Sequence, residues 1–199
     1  MHIDTGAMYR AMTLKVLEQH IDVSDAERIG SLAEETEVRL RRNGSELQVL
    51  LDSQDVTNKI RSQVVSNAVS AVSSVPEVRR ALVREQRSMG EDGGIVLEGR
   101  DIGTVVFPDA DLKIFMVAQV EERARRRQRE LQQSGVEVDI EKLEKEILER
   151  DRQDSERTLS PLRKADDAIV LDTSDMTIEQ QVEFIINKAK EILRKHDKV

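Results

Sequence analysis

Cysteine and tryptophan are absent from the 199 residues, and tyrosine occurs once. Without cysteine there are no disulfide staples and no thiolate metal clusters, which suits a reducing compartment. Aromatic residues make up only 2% of the chain, too few for a platform that stacks single-stranded nucleic acid. No apolar run approaches membrane-spanning length and nothing resembles a signal peptide. A cytoplasmic protein with neither a membrane nor a nucleic acid as partner is expected. The formal net charge of -8 also opposes non-specific DNA binding, although fields are local and arginine placement is the better guide to a cleft. His2, His20 and His196 are scattered, and no metal ligand set is assigned. What the chain does have is 38% apolar residues, enough to bury a core as one compact α/β unit with a small insert.

In chain order, Ile3-Asp4-Thr5-Gly6 reads as a strand ending in a turn. Met8, Ala11, Met12 and Val16 then recur at helical spacing, so that Tyr9 and Arg10 ride the first turns. An arginine there can reach a phosphate near a helix N-terminus; pairing along its own helix explains it equally well. A short helix is expected from Ser24 to Glu35, capped by Ser24 or Asp25. Val38 and Leu40, then Leu47, Val49 and Leu51, alternate across Asn43-Gly44, a hairpin signal, with a third strand expected at Val56 after a Ser53-Gln54 turn. Ile60, Val64, Ala68, Val69 and Val72 give a helix that stops before Pro76, and Ser74 with Glu77 has the spacing of a capping box opening the next. That next helix turns Val78, Ala81, Leu82 and Met89 inward. Buried-strand patterns at Ile95–Leu97 and Leu112–Val117 flank a loop with two glycines, Arg100 and Asp101, a place where open α/β sheets bind polar ligands.

Past that loop, Val120, Ala124 and Leu131 mark a helix carrying Arg123, Arg125, Arg126, Arg127 and Arg129, a pattern that usually means a solvated face. Ser134-Gly135 breaks it, and Ile140, Leu143, Ile147 and Leu148 begin another, a helix–turn–helix. Arg150, Asp154 and Arg157 follow at i, i+4 and i+7, one helical face; an exposed salt-bridge ladder accounts for that spacing too. Ala168–Leu171 is the last strand candidate, and Thr177 with Gln180 forms a second capping box. Ile178, Val182, Ile185, Ile186, Ala189, Ile192 and Leu193 give the clearest amphipathic helix, expected to be core packing.

EGRDIGTVVFPDADLKIF at 98–115 and IDTGAMYR at 3–10 resemble the bacterial cytidylate kinase family, over about Ile3 to Leu193. The resemblance implies a nucleoside monophosphate kinase-like α/β fold of three layers, with a parallel sheet, an antiparallel lobe for the nucleoside monophosphate at about 23–90, and a helical lid at about 126–160, all one domain. It implies transfer of the ATP γ-phosphate to CMP or dCMP, with Mg²⁺, by a monomer. It places Thr5 and Arg10 on the acceptor phosphate, Ser70, Arg79 and Asp101 around cytosine, and Tyr9 and Arg100 among the other substrate-binding residues. Arg150 and Asp154 fall on the CMP sugar, with Arg150 and Arg157 as catalytic cations and Arg126 or Arg127 touching the donor nucleotide. Cytosine chemistry agrees, since its amine donates to a carboxylate while its ring nitrogen and carbonyl accept.

One departure stands out. Such kinases hold phosphate in a Gly-rich loop followed by lysine and a hydroxyl residue, and no glycine here precedes a lysine. The family places that loop before the position of Met1, so a first strand, phosphate loop and first helix, roughly thirty residues in all, are expected to be missing. Strands 95–97 and 112–117 are then expected to have open edges, and the chain by itself to fold poorly and lack turnover. Three readings follow: a cytidylate kinase, a non-catalytic CMP-binding remnant, or another small-molecule kinase of the same fold. Ser70, Arg79, the central loop and the large hairpin insert disfavour the last.

Overall fold

The computed structural model of the chain describes residues 2–44, 46–133 and 135–196. β1 (His2–Asp4) runs directly into α1 (Thr5–Glu18). Asp4 makes this tight entry possible. Its Oδ1 accepts the Ala7 amide at 2.9 Å, satisfying one of the donors that a helix start leaves open. α2 (Ala26–Glu34) begins in the same manner on Asp25, which accepts the Arg28 amide at 3.1 Å.

β2 (Val38–Asn43), β3 (Glu46–Leu51) and β4 (Gln54–Asp55) form an antiparallel sheet in that order. The register pairs Val38 with Leu51 and Leu40 with Val49, which gathers the alternating apolar residues on one face. The third strand starts ahead of Val56. Asp52 and Ser53 adopt left-handed φ of +47° and +69° and turn the chain earlier than expected.

A 3₁₀ turn at Lys59–Arg61 leads into α3 (Gln63–Ser74) and α4 (Pro76–Met89). The capping box expected at Ser74–Glu77 does not form. Ser74 Oγ instead donates back to the Ala71 carbonyl at 2.6 Å, and Pro76 opens α4, where its missing N–H has no role. β5 (Val96–Glu98) pairs in parallel with β1, His2 facing Val96 and Asp4 facing Glu98.

A π-helical turn at Ile102–Val106 precedes β6 (Ile114–Val117). α5 (Val120–Gln133), α6 (Ile140–Glu156), β7 (Ile169–Asp172) and α7 (Ile178–His196) complete the chain. β6 and β7 pair in parallel, Ile114 facing Ile169. The break between α5 and α6 includes Gly135 at φ +77°; Ser134 lies outside the described residues. Thr177 and Gln180 form the expected reciprocal capping box, at 2.9 and 3.3 Å. Among the described residues β5 pairs only with β1 and β6 only with β7, so each parallel pair keeps an open edge. No described helix is long and apolar enough to cross a membrane.

Two compact units divide the chain, residues 1–102 with 157–161 and residues 103–156 with 162–199. The main apolar core belongs to the first. α1 is surrounded, packing on α3, β2, β3 and α4, so Met8, Met12 and Val16 are all but inaccessible. Thr13 can share that interior because its hydroxyl donates to the Tyr9 carbonyl at 2.8 Å. In the second unit α5 packs on α6, tied by Arg123 to Asp151, Nη2 to Oδ1 at 2.9 Å.

α7 departs from the expected core packing: Ile178, Val182, Ile186 and Leu193 stay exposed, and no residue from 178 to 194 is buried. Periodicity makes a helix amphipathic, but burial also needs an opposing surface.

Met12→Ala, at a site 1% exposed, is therefore expected to cost about 2–5 kcal/mol through the cavity it leaves. Val182→Ala, at a site 48% exposed, is expected to stay within about 0.5 kcal/mol. Urea denaturation of both variants is the measurement; equal midpoints would refute this placement of the core.

Candidate functional site

The first unit contains a buried polar cluster built from α1, α4 and the loop after β5. Arg79 on α4 and Asp101 in the loop are each 5% exposed and are joined by a charge-assisted hydrogen bond from Arg79 Nη2 to Asp101 Oδ2. Arg79 Nη1 donates to the Ser73 carbonyl at 3.2 Å. Its guanidinium carbon lies 5.3 Å from the centre of the Tyr9 ring, within cation–π range. A buried charge is tolerated only when paired and hydrogen-bonded, and here the carboxylate, the carbonyl and the ring face do that together.

Tyr9 reaches the cluster from the first turns of α1. Burial pushes its hydroxyl up to about 12; Arg79 pulls it down, Asp101 raises it, and Arg157 and Gln86 lower it slightly. Arg157 is thus a charged neighbour of the phenol, and the Gln86 carboxamide stands at its hydroxyl. Among the described residues Tyr9 Oη, Arg79 Nε and Gln86 Nε2 are buried without a hydrogen-bond partner. Buried polar atoms are nearly always satisfied, so three orphans in one cluster mark a place shaped to receive polar atoms from elsewhere.

The remaining expected site residues of the first unit sit on α1, on α3, in the loop after β5 and in the turn after α6. Thr5, at the start of α1, donates from Oγ1 to the Glu98 carbonyl at 2.7 Å, fastening α1 to the end of β5. That contact explains Gly99: a Cβ there would come within 2.3 Å of Thr5 Oγ1. Arg10 Nη1 donates to Ser66 Oγ on α3 at 2.8 Å. Ser70, half-buried on the same helix, accepts the Ser73 hydroxyl on its carbonyl at 3.1 Å. Arg100 is exposed. Arg157 sits one residue past the end of α6, not on a helical face with Arg150 and Asp154, because the helix stops at Glu156. Its Nε donates to the Ser160 carbonyl at 2.7 Å, closing a turn in which Ser160 takes φ +49°.

Arg126, Arg127, Arg150 and Asp154 belong to the second unit. Arg126 donates to Glu122 at 3.0 Å and to Thr173 Oγ1 at 3.2 Å, bracing α5 against the end of β7. Arg127 pairs with Glu130 at 3.1 Å. Asp154 is buried on α6, its carbonyl accepting the Leu162 amide at 2.7 Å. Among the described residues no group of three or more His, Cys, Asp or Glu could hold a metal ion.

Gln86 escaped the sequence reading. Arg79, Leu82 and Gln86 fall at i, i+3 and i+7, on one helical face. A glutamine on the same face as a buried leucine is the signal that could have found it.

The family model described as cytidylate kinase matches residues 1–191. The cytidylate kinase of Streptococcus suis (strain 05ZYH33) is 52% identical over 194 residues, covering 96% of this chain and 86% of that protein. That of Streptococcus gordonii is 50% identical, covering 98% and 87%. A bifunctional pantoate ligase/cytidylate kinase of Synechococcus is 46% identical across 98% of this chain, which matches 36% of it.

Because the chain's single tyrosine is Tyr9, tyrosinate absorbance reports this site alone. A titration midpoint near 12 rather than the ordinary 10.0 is expected. Burial of the neutral phenol contributes its full stability below pH 10, and that contribution is lost as pH rises from 10 towards 12. A midpoint at the ordinary value would place Tyr9 in solvent. Gly99→Ala is expected to cost about 1–3 kcal/mol as Thr5 is displaced, read as a lowered Tm; an unchanged Tm would show the Thr5–Glu98 contact to be slack.

Proposed function

The chain belongs to the cytidylate kinase family, and we propose that it transfers the γ-phosphoryl group of ATP to CMP or dCMP, with the buried Arg79–Asp101 pair reading cytosine. That pair is the observation that carries the reading. In a desolvated pocket, a carboxylate accepts from the exocyclic amine of cytosine while guanidinium N–H groups donate to its ring nitrogen and carbonyl. Uracil presents a carbonyl where cytosine has the amine, and would leave a buried acceptor opposed. The orphaned Arg79 Nε and Tyr9 Oη are further polar atoms available to a nucleotide.

Thr5 and Arg10 are assigned to the acceptor phosphate. They flank the first turn of α1, where a helix N-terminus favours anions, and Arg10 leans on Ser66 through one of its nitrogens. Arg100, beside Asp101 and exposed, is placed on the acceptor as well, and Ser70 at cytosine. Arg157 is assigned to the phosphoryl group in transfer, where charge spreads over equatorial oxygens and a guanidinium stabilises it. Arg150 and Asp154 are placed on the acceptor sugar, and Arg126 and Arg127 on the donor nucleotide, by resemblance alone.

The described residues do not fit the magnesium–phosphate half of this chemistry. They offer no carboxylate or imidazole cluster for a divalent cation, and no glycine in the chain precedes a lysine. In this reading the fold is that of the P-loop nucleoside monophosphate kinases. Names shared with relatives at about half identity favour a kinase over a binding remnant.

Acceptor discrimination is the test. In a protein that also carries the donor phosphate loop, kcat/KM at fixed ATP is expected to favour CMP and dCMP over UMP by about 5- to 150-fold, the ratio set by one lost buried pairing. Equal values for UMP and CMP would sink the cytosine assignment.

A further inference from the structure

Gln86 lies in the cluster without a role in the reading above. It is 1% exposed, and burying an amide without hydrogen bonds is costly. Its carboxamide stands beside the Tyr9 hydroxyl closely enough to favour the ionised phenol. Even so, neither Gln86 Nε2 nor Tyr9 Oη completes a hydrogen bond among the described residues. Tyr9 in turn supports the guanidinium of Arg79 on its ring face, and Arg79 holds Asp101. The order of contacts is therefore amide, phenol, guanidinium, carboxylate, and only the first link is unmade.

We propose that Gln86 is a positioning residue for the acceptor nucleotide, acting through Tyr9. A phenol has one proton to give and lone pairs to fill, whereas an amide nitrogen only donates. When Gln86 Nε2 donates to Tyr9 Oη, it fills a lone pair of that oxygen and leaves the phenol proton to be given to another acceptor. The nucleoside monophosphate supplies an acceptor oxygen, so the two orphaned atoms are satisfied together when it binds. The same bond holds the ring against rotation, which keeps the Arg79 guanidinium aligned with Asp101. The inference rests on the CMP-binding reading and goes beyond it in naming what sets the direction of the Tyr9 hydroxyl.

The amide is then a feature kept for ligand binding and not for folding, since replacing a buried unsatisfied group by an apolar one of similar shape is close to neutral or stabilising. This separates the proposal from a structural role. CMP titrated calorimetrically into the chain, into Gln86→Met, into Tyr9→Phe and into the double variant provides the test, with Tm measured for each. Gln86→Met is expected to bind CMP about 2- to 10-fold more weakly, the range of one ordinary hydrogen bond, with a Tm equal to or above that of the unaltered protein. In the Tyr9→Phe background the same change is expected to have no further effect, because the hydroxyl through which it acts is gone. Gln86→Leu serves the same comparison if methionine disturbs packing. Additive losses in the double variant, or unchanged CMP binding by Gln86→Met, would overturn the role of Gln86 and leave the CMP reading standing. An unaltered protein that does not bind CMP would overturn both.

Discussion

An arginine and an aspartate, both shut away from solvent, set the terms for the first unit. Taking either partner away leaves the other charged and buried, at a cost of about 3–5 kcal/mol, a large share of the stability of an ordinary domain. α4 and the loop after β5 must therefore keep their relative placement, and Tyr9 must stay beneath the guanidinium. Such a pair is weak support for stability compared with apolar packing of the same volume. Its value lies in holding charged groups in one arrangement in a dry place, where a polar ligand can be read by direction as well as by size.

Packing supplies the rigidity this arrangement needs. α1 enters from a three-residue strand, is capped by Asp4, and is enclosed by helices and the antiparallel sheet. Its buried side chains leave it little freedom to rotate, so Thr5, Tyr9 and Arg10 leave its first turns in fixed directions. Gly99 contributes by leaving room for Thr5 where β5 ends. One helix thereby serves both as the centre of the core and as a wall of the site.

The second unit is organised by charge more than by apolar burial. Arg123, Arg126, Arg127 and Arg129 all find carboxylates on α5 or α6, and Lys113, 8% exposed, is held by Asp167 at 2.7 Å. Exposed pairs of this kind contribute little individually, and they exchange partners readily when a stronger anion arrives.

Much of the architecture could be read directly from residue order. The Asn43-Gly44 hairpin, the α3–α4 break before Pro76 and the Thr177–Gln180 cap are local, each determined by a few neighbouring residues whose chemistry acts without the rest of the fold. The apolar stripe of α7 was equally legible, but its exposure was not, because a stripe says nothing of whether another surface covers it. Ser74 had the spacing of a cap, yet the path of the chain turned its hydroxyl back to Ala71. Arg157 followed the helical spacing of Arg150 and Asp154, yet α6 ended one residue short of it. Asp101 could be named from its loop between two strand patterns, and Arg79 only through the family resemblance. Their union, and the place of Gln86 beside Tyr9, came only from tertiary structure, because burial and the meeting of residues far apart in sequence depend on how helices pack and not on any local pattern.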